Sequence, residues 1–174
     1  KHTNDTLLRS VASRLKQIRI ERGLTQEVVT DRTKVNVGLY EVGTTNITIV
    51  LLTVLCNFYN VTLEEFFKGI EYEKGEDSFF CENELKWPKE SNAADKYFIS
   101  ARIELFKMVI QRIKNLRETH HYTQEYVNEY TGLDIPHLET GRDFPSLTTI
   151  AILCKFYNIT IVEFFSPIDY PAKE

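Results

Sequence analysis

The sequence has few of the residues that interrupt helices. Its 174 residues include only seven glycines and five prolines, and apolar residues recur at helical spacing over long stretches. This combination predicts an all-α protein. A hydrophobic content of 43% can form one medium domain or two small ones with modest cores, and it excludes disorder for most of the chain.

Long apolar runs and paired cysteines are also lacking. No run approaches the roughly 20 apolar residues that span a bilayer, and the first residues lack the pattern of a signal peptide. We therefore expect no membrane contact and a cytoplasmic location. Cys56, Cys81 and Cys154 are odd in number and lack metal-ligand spacing, which argues against a disulfide framework. Cys56 and Cys154 fall at apolar positions and are expected to be buried.

Sites of catalysis are lacking as well. The chain has no Ser/His/Asp order, no glycine-rich phosphate loop and no carboxylate pair above chance, so we expect neither an enzyme nor a cofactor. His120 and His121 admit three interpretations: a metal site, a helix-end or phosphate-facing role, or simple exposure. Adjacent residues do not face one site on a helix and no third ligand is spaced for zinc, so the metal interpretation is the weakest.

The net charge is −4, which argues against a generic polyanion binder because non-specific affinity for nucleic acid comes from Lys and Arg. Much of the acidity lies mid-chain, where residues 73–97 carry seven acidic and four basic side chains. Local basic patches are therefore compatible with the acidic total.

What the sequence does contain is a repeat. The stretch RLKQIRIERGLTQEVV from Arg14 is answered by RIKNLRETHHYTQEYV from Arg112, at an offset of 98 residues. The match continues without a gap to Phe67 and Phe165, and 19 of the 54 aligned positions are identical. We call residues 14–67 copy one and 112–165 copy two. Each is long enough to own a core, which indicates a duplicated domain.

Each copy predicts five helices. The first ends near Gly23 or the His120–His121 pair, and the third is short. The remaining signals are N-caps, left-handed stops and T-x-x-E capping boxes. They occur in pairs: Thr25 and Thr123, Asn36 and Asp134, Thr48 and Ser146, Asn60 and Asn158, Thr62–Glu65 and Thr160–Glu163.

The predicted boundaries are a domain at 1–69, an acidic linker at 70–94 and a second domain at 95–174. The linker is partly ordered in this interpretation, because its aromatic side chains are too apolar for a solvated tether. The first helix of the second domain runs from Asp95 with an apolar stripe that extends beyond a five-helix unit. The stripe comprises Ile99, Ile103, Phe106, Ile110 and Ile113. Three partners could cover it: domain one, the linker, or a second chain, which would give a homodimer.

Thr-Gln opening helix two and Glu-x-Gly closing helix three, present in both copies, carry a family resemblance. Each copy resembles the helix-turn-helix domain of the phage-repressor and Cro type, the XRE family, whose fold is the lambda-repressor-like five-helix bundle. The resemblance covers residues 11–67 and 109–165. It implies that Arg19 pairs with Glu41 and Arg117 with Glu139, tying helix one to helix three.

The resemblance also implies a DNA-binding surface. The Thr-Gln pair opens helix two at an N-terminus suited to a phosphate, and the residue after the Glu-x-Gly contacts the backbone. The third helix would supply base contacts. The candidates are Thr25, Gln26, Asn36, Leu39 and Thr44 in copy one, and Thr123, Gln124, Asp134, His137 and Arg142 in copy two.

The third helix departs from the family. Only seven residues separate Gly132 from Glu139, against about ten in the family, and copy one has the same spacing from Lys34. Pro136 then falls in the first turn, where its missing N–H costs nothing. This predicts a helix of about one and a half turns with few side chains suited to contacting base edges. For Asn36 and Asp134 we favour capping over base contact.

Two functions follow. The first is a sequence-specific transcriptional regulator of bacterial type that binds double-stranded DNA. Its two domains act as a built-in pseudo-dimer on half-sites about 34 Å apart, or one binds DNA while the other dimerises. The alternative is a protein interaction module on the same scaffold with weakened DNA readout, suggested by Leu39 and the net acidity.

Overall fold

A computed structural model of the chain describes residues 2–70, 95–142 and 144–168, with side chains from residue 6 in the first stretch and from residue 103 in the second. Within these ranges the protein is all-α and contains ten helices and no strand. No described helix combines the length and apolarity needed to cross a bilayer.

Five helices fall in each half of the chain. The first half contains α1 (His2–Glu21), α2 (Gln26–Thr33), α3 (Val37–Glu41), α4 (Ile49–Phe58) and α5 (Leu63–Lys68). The second half contains α6 (Asp95–Thr119), α7 (Gln124–Thr131), α8 (Ile135–Thr140), α9 (Leu147–Phe156) and α10 (Ile161–Phe165). The second set repeats the order of the first, as the 98-residue offset predicts, and the last four helices of the two sets match in length to within one residue.

Side-chain caps begin the helices where the sequence predicts them. Thr25 and Thr123 accept hydrogen bonds from the third backbone N–H that follows them, and Thr48 and Ser146 do the same for α4 and α9. Both predicted capping boxes are complete. These bonds satisfy N–H groups that a helix cannot pair internally.

Left-handed residues end the helices. Asn60 and Asn158 have φ of 50° and 54°, as expected for the stops after α4 and α9. Gly23, with φ of 65°, follows α1, and His121, with φ of 57°, takes the same place after α6. In both copies the next backbone N–H bonds to the carbonyl of the arginine on the first helix, at 3.1 Å. His121 therefore ends α6 in a left-handed conformation that favours glycine.

The buried face of α6 differs from the predicted stripe. Ile103 is 46% exposed, Phe106 and Ile110 are half-buried, and only Ile113 of the described stripe residues is buried. The buried row instead comprises Leu105, Val109, Ile113 and Leu116. It repeats the buried row of α1, which comprises Leu7, Val11, Leu15 and Ile18. The first helix is thus long in both copies and buries the same face in each.

The described residues fall into two compact units. One contains residues 2–70 and 145–168, and the other contains 95–142 and 144. Helices α9 and α10 therefore belong to the same unit as α1 to α5. The predicted domains 1–69 and 95–174 remain a prediction, and the linker side chains, Cys81 and the Ile99 side chain lie outside the described residues.

Within the first unit, equivalent positions of the two copies contact each other. Thr48 and Ser146 form an isolated antiparallel β-bridge, and the Leu147 N–H donates to the Ile47 carbonyl at 3.1 Å. The rings of Phe67 and Phe165 stack with centroids 5.3 Å apart and planes 3° from parallel. Contact of a residue with its own counterpart is the mark of an interface around a two-fold axis. The pairs α4–α5 and α9–α10 thus form a two-fold-like interface inside one chain.

Candidate nucleic-acid interface

The second and third helices of each copy are joined by a short turn with the same internal bonding. The turn contains a left-handed residue, Lys34 in copy one and Gly132 in copy two. A buried threonine before it donates to a carbonyl of its own helix and accepts the N–H two residues on. For Thr33 these distances are 2.7 and 3.2 Å, and for Thr131 they are 2.6 and 3.2 Å. Each turn is therefore fixed by two local hydrogen bonds of its threonine, and the arrangement is the same in both copies.

Both ion pairs implied by the family resemblance are present. Arg19 Nε and Nη2 donate to the two carboxylate oxygens of Glu41 at 2.7 and 2.9 Å. Arg117 and Glu139 form the same fork at 2.6 and 2.9 Å. All four side chains are largely buried. The third helix is thereby anchored to the first by a bidentate, charge-assisted contact.

Each arginine also holds the turn that follows its own helix. Arg19 Nη1 donates to the Leu24 carbonyl at 2.8 Å, and Arg117 Nη1 donates to the Tyr122 carbonyl at 3.0 Å. The carbonyl belongs to the residue just before the Thr-Gln pair. One guanidinium therefore fixes both the third helix and the start of the second.

Gln26 and Gln124, the predicted phosphate contacts, complete these clusters. Gln26 Nε2 donates to Glu41 Oε2 at 2.7 Å, and Gln124 Nε2 donates to Glu139 Oε2 at the same distance. A side-chain amide nitrogen carries two protons, so one remains for a phosphate oxygen. The contact with the carboxylate orients the amide, a link that the sequence pattern did not reveal.

The two carboxylates stay ionised because of these donors. Burial alone would raise the pKa of Glu41, but the hydrogen bonds from Arg19 and Gln26 outweigh the effect of burial and hold the pKa below its ordinary value. The pKa of Glu139 is lowered in the same way by Arg117 and Gln124. The cluster is therefore a charged, hydrogen-bonded unit at neutral pH.

The third helices are as short as predicted, with five residues in α3 and six in α8. Asp134 caps α8 by accepting the His137 N–H at 3.0 Å, and Pro136 lies in the first turn. Asn36 occupies the same position in α3 but makes no capping bond with its side chain. The capping interpretation is therefore right for Asp134 and wrong for the Asn36 side chain.

Asn128 adds a bond that the sequence analysis missed. Its Oδ1 accepts the Ile135 N–H at 2.8 Å, which joins α7 to the start of α8. Its partner is seven residues away across the turn, beyond the reach of capping rules.

Backbone conformation and close neighbours explain why each Glu-x-Gly ends in glycine. Gly141 has φ of 71°, and a Cβ there would lie 2.9 Å from the ring of Phe106. Gly43 has φ of 80°, and its Cβ would lie 3.2 Å from the backbone of Arg9. Glycine adopts the positive φ without strain and leaves room beside the first helix, so that helix can pass close to the end of the third.

The outward residues of the third helix separate the two copies. Copy one presents Leu39, 48% exposed, and Val42, 68% exposed. The matching positions of copy two carry His137, which is half-buried, and Thr140, whose hydroxyl donates to the His137 carbonyl at 2.9 Å. The surface is apolar in copy one and polar in copy two.

The residue after each Glu-x-Gly follows the same division. Arg142 is exposed in copy two, whereas the exposed residue at this position in copy one is Thr44. A guanidinium can form a charge-assisted bond with a phosphate, and a hydroxyl forms a weaker neutral one. Thr25, Thr123, Asn36 and Asp134 are also exposed beside the second and third helices. Their roles in DNA contact remain predictions.

His120 has a structural partner. Its Nδ1 lies 2.7 Å from the Leu116 carbonyl, one turn earlier in α6. Within the part of the chain that the structure describes, no group of three or more His, Cys, Asp or Glu side chains is arranged to hold a metal ion. Cys56 and Cys154 are buried in α4 and α9, as predicted, and burial raises the pKa of the Cys56 thiol.

Comparison with known proteins adds no assignment. The chain matches no protein-family model, no curated protein and no solved structure.

Proposed function

We propose that the protein is a sequence-specific regulator of transcription that binds double-stranded DNA through copy two, while copy one makes a weaker contact. The observation that carries the proposal is the Arg–Glu–Gln cluster, which recurs in both copies with nearly the same distances. It sets a glutamine amide and a helix N-terminus side by side, a combination suited to a phosphate. In this role the protein would act in the cytoplasm.

Copy two is the better DNA surface because of its side chains. Arg142 supplies a positive charge and His137 a polar ring, where copy one has Thr44 and Leu39. One carboxylate oxygen of Asp134 accepts the His137 N–H, so this side chain caps the helix backbone. With few groups suited to base edges, we expect modest specificity in which positioning by phosphate contacts dominates.

The two-fold-like interface supports binding by a single chain. Regulators of this architecture usually bring two equivalent domains to a DNA site as a symmetric dimer. Here the contacts of Thr48 with Ser146 and of Phe67 with Phe165 join two copies within one chain. We therefore expect one chain per DNA site. The homodimer through α6 remains the alternative prediction.

The proposal is tested by selection from a pool of random DNA duplexes at low salt. We expect repeated rounds with the full chain to enrich a defined sequence, and the mass of the purified complex to correspond to one chain per duplex. Failure to enrich any sequence would contradict the proposed function. Two chains per duplex would leave DNA binding in place and overturn only the single-chain arrangement.

A second function, a protein interaction module, is favoured by one observation. Leu39 and Val42 expose apolar side chains where a DNA reader would present polar ones. In this alternative both copies would bind proteins, and replacing Gln124 and Arg142 with alanine would leave every interaction intact. This alternative would be contradicted if the full chain retains only DNA and the alanine variant no longer binds it.

A further inference from the structure

A row of tyrosine rings runs along the outer side of α7 and has no part in the proposed DNA surface. Tyr126 and Tyr130 are four residues apart and lie on one face of α7. Tyr122 lies just before the N-cap of that helix, Thr123. The centroids of Tyr122 and Tyr126 are 4.7 Å apart, and those of Tyr126 and Tyr130 are 4.6 Å apart. The His120 ring extends the row, at 5.6 Å from Tyr122. We call Tyr122, Tyr126 and Tyr130 the tyrosine row.

The two tyrosines on α7 face solvent, and Tyr122 is half-buried. Tyr126 is 38% exposed and Tyr130 is 54% exposed, whereas α7 buries Val127 and Thr131. Large aromatic side chains are normally placed where they remove apolar area from water. Two adjacent exposed rings on one short helix are a feature of an interaction surface.

The fold does not require these rings. Copy one builds the same helix, α2, with Leu24, Val28 and Arg32 at the three positions. Its turn, its ion pair and its capping threonine match those of copy two. The row is therefore a feature that distinguishes copy two, and it has no counterpart in the repeated architecture.

The charge around the row indicates the kind of partner. Glu125 and Glu129 are exposed and each directly precedes a tyrosine of the row, and α7 contains no Lys or Arg. Acidic groups beside the rings repel phosphates, which disfavours DNA or RNA on this face. They attract cations, and tyrosine faces bind guanidinium groups more often than ammonium groups. Arginine and tyrosine also dominate the energetics of protein interfaces.

We propose that the outer face of α7, formed by the tyrosine row with Glu125 and Glu129, docks an arginine-bearing segment of a partner protein. The rings supply flat apolar area and cation–π contact, and the carboxylates supply attraction. This surface does not depend on DNA binding, and both interactions can be present in one protein.

The test uses the full chain and a fluorescent peptide of repeated Arg-Ser-Leu triplets, compared with the same peptide carrying Lys in place of Arg. We expect the arginine peptide to bind more tightly, and the double variant Tyr126→Leu with Tyr130→Leu to weaken it about tenfold. Leucine keeps apolar area and helix propensity. The double variant Tyr126→Phe with Tyr130→Phe keeps the rings and should retain the binding.

Matched controls separate this surface from general acidity. The variant Val28→Ala with Arg32→Ala, at the equivalent positions of copy one, should leave peptide binding unchanged. Equal affinity for the two peptides, or no effect of the leucine variant, would mean that net charge alone is responsible and would overturn the proposal. Loss of duplex binding in the leucine variant would assign the row to the DNA surface and overturn it as well. If the leucine variant fails to fold, the variant Glu125→Gln with Glu129→Gln provides the test. It should weaken binding of the arginine peptide, and unchanged binding would overturn the proposal.

Discussion

At the scale of residues, the structure depends most on the Arg–Glu–Gln clusters. In copy two, Glu139 receives donors from Arg117 and Gln124, and its side chain is almost wholly buried. A buried ion pair adds little net stability compared with an apolar pair, but loss of one partner leaves the other charge buried and uncompensated. The clusters are therefore sites where a single substitution is costly.

Replacing Glu139 with Gln should lower the free energy of unfolding by about 2 to 3 kcal/mol at pH 7. The loss should depend on pH. The hydrogen-bond donors lower the pKa of Glu139 in the folded protein below its ordinary value of 4.5. Ionisation of Glu139 therefore stabilises the fold fully above pH 4.5, and this stabilisation is lost as the pH falls through the lower pKa of the folded state. Urea unfolding of both proteins across acidic pH should show their difference narrowing as pH falls.

A surface ion pair provides the control for this substitution. Glu64 lies 2.9 Å from Lys68 on α5, with both side chains partly in solvent. Exposed pairs contribute about 1 kcal/mol or less, so Glu64→Gln should change stability little at any pH. A difference between wild type and Glu139→Gln that stays constant with pH would contradict the proposed role of the ionised carboxylate.

The end of the first helix permits a paired test of backbone strain. His121→Gly should stabilise the protein by about 1 kcal/mol, because glycine adopts positive φ without the cost that a side chain incurs. Gly23→Ala should destabilise it by a similar amount, and a Cβ there meets no atom within 4 Å, so the effect is conformational alone. Thermal unfolding measures both. Changes of the same sign would show that side-chain contacts outweigh the backbone term.

How far the sequence predicts residue roles depends on the distance to the partner. The caps at Thr25, Thr123 and Asp134 follow from local rules, since each partner lies three residues on. The contact of Gln124 with Glu139 spans 15 residues, and that of Asn128 with Ile135 crosses a turn. Such bonds depend on how helices are placed, which the residue pattern alone does not specify.

At the scale of elements, the contact between copies is the feature that most needs testing. Phe67 and Phe165 are fully buried and stack on each other. Replacement of either by Ala should cost about 3 to 5 kcal/mol through lost contacts and the cavity left behind. Because the rings contact each other, the double variant should lose less than the two single losses combined, by about 1 kcal/mol.

Equilibrium unfolding of the four proteins in this cycle measures the coupling. Full additivity would mean that the two rings do not stack in solution.

The helices themselves were largely predictable, and their packing was not. Caps, capping boxes and left-handed stops place all five helices of each copy, because these signals are local. The sequence analysis missed the row that α6 buries, because the isoleucines and Phe106 form one plausible stripe and Leu105 with Val109 form another beside it. Tertiary contact selects between such faces. Comparison with Leu7 and Val11 at the equivalent positions of α1 would have identified the correct one.

At the scale of the whole molecule, charge and duplication shape the expected binding. With a net charge of −4, the protein should have low affinity for arbitrary DNA and a shallow dependence of binding on salt, because few phosphates are neutralised. Under the proposed function, specific binding would depend on the few groups of copy two that suit a phosphate or a base. The outer face of α7, with the tyrosine row and its neighbouring glutamates, would bind a different class of partner.

The measurement that tests this account most directly is selection from random DNA duplexes with three proteins in parallel. These are the wild type, the variant Gln124→Ala with Arg142→Ala, and its counterpart Gln26→Ala with Thr44→Ala in copy one. We predict that the wild type enriches a defined sequence, that the copy-two variant loses the enrichment, and that the copy-one variant keeps it with weaker affinity. Absence of enrichment by the wild type, or equal enrichment by all three proteins, would contradict the account.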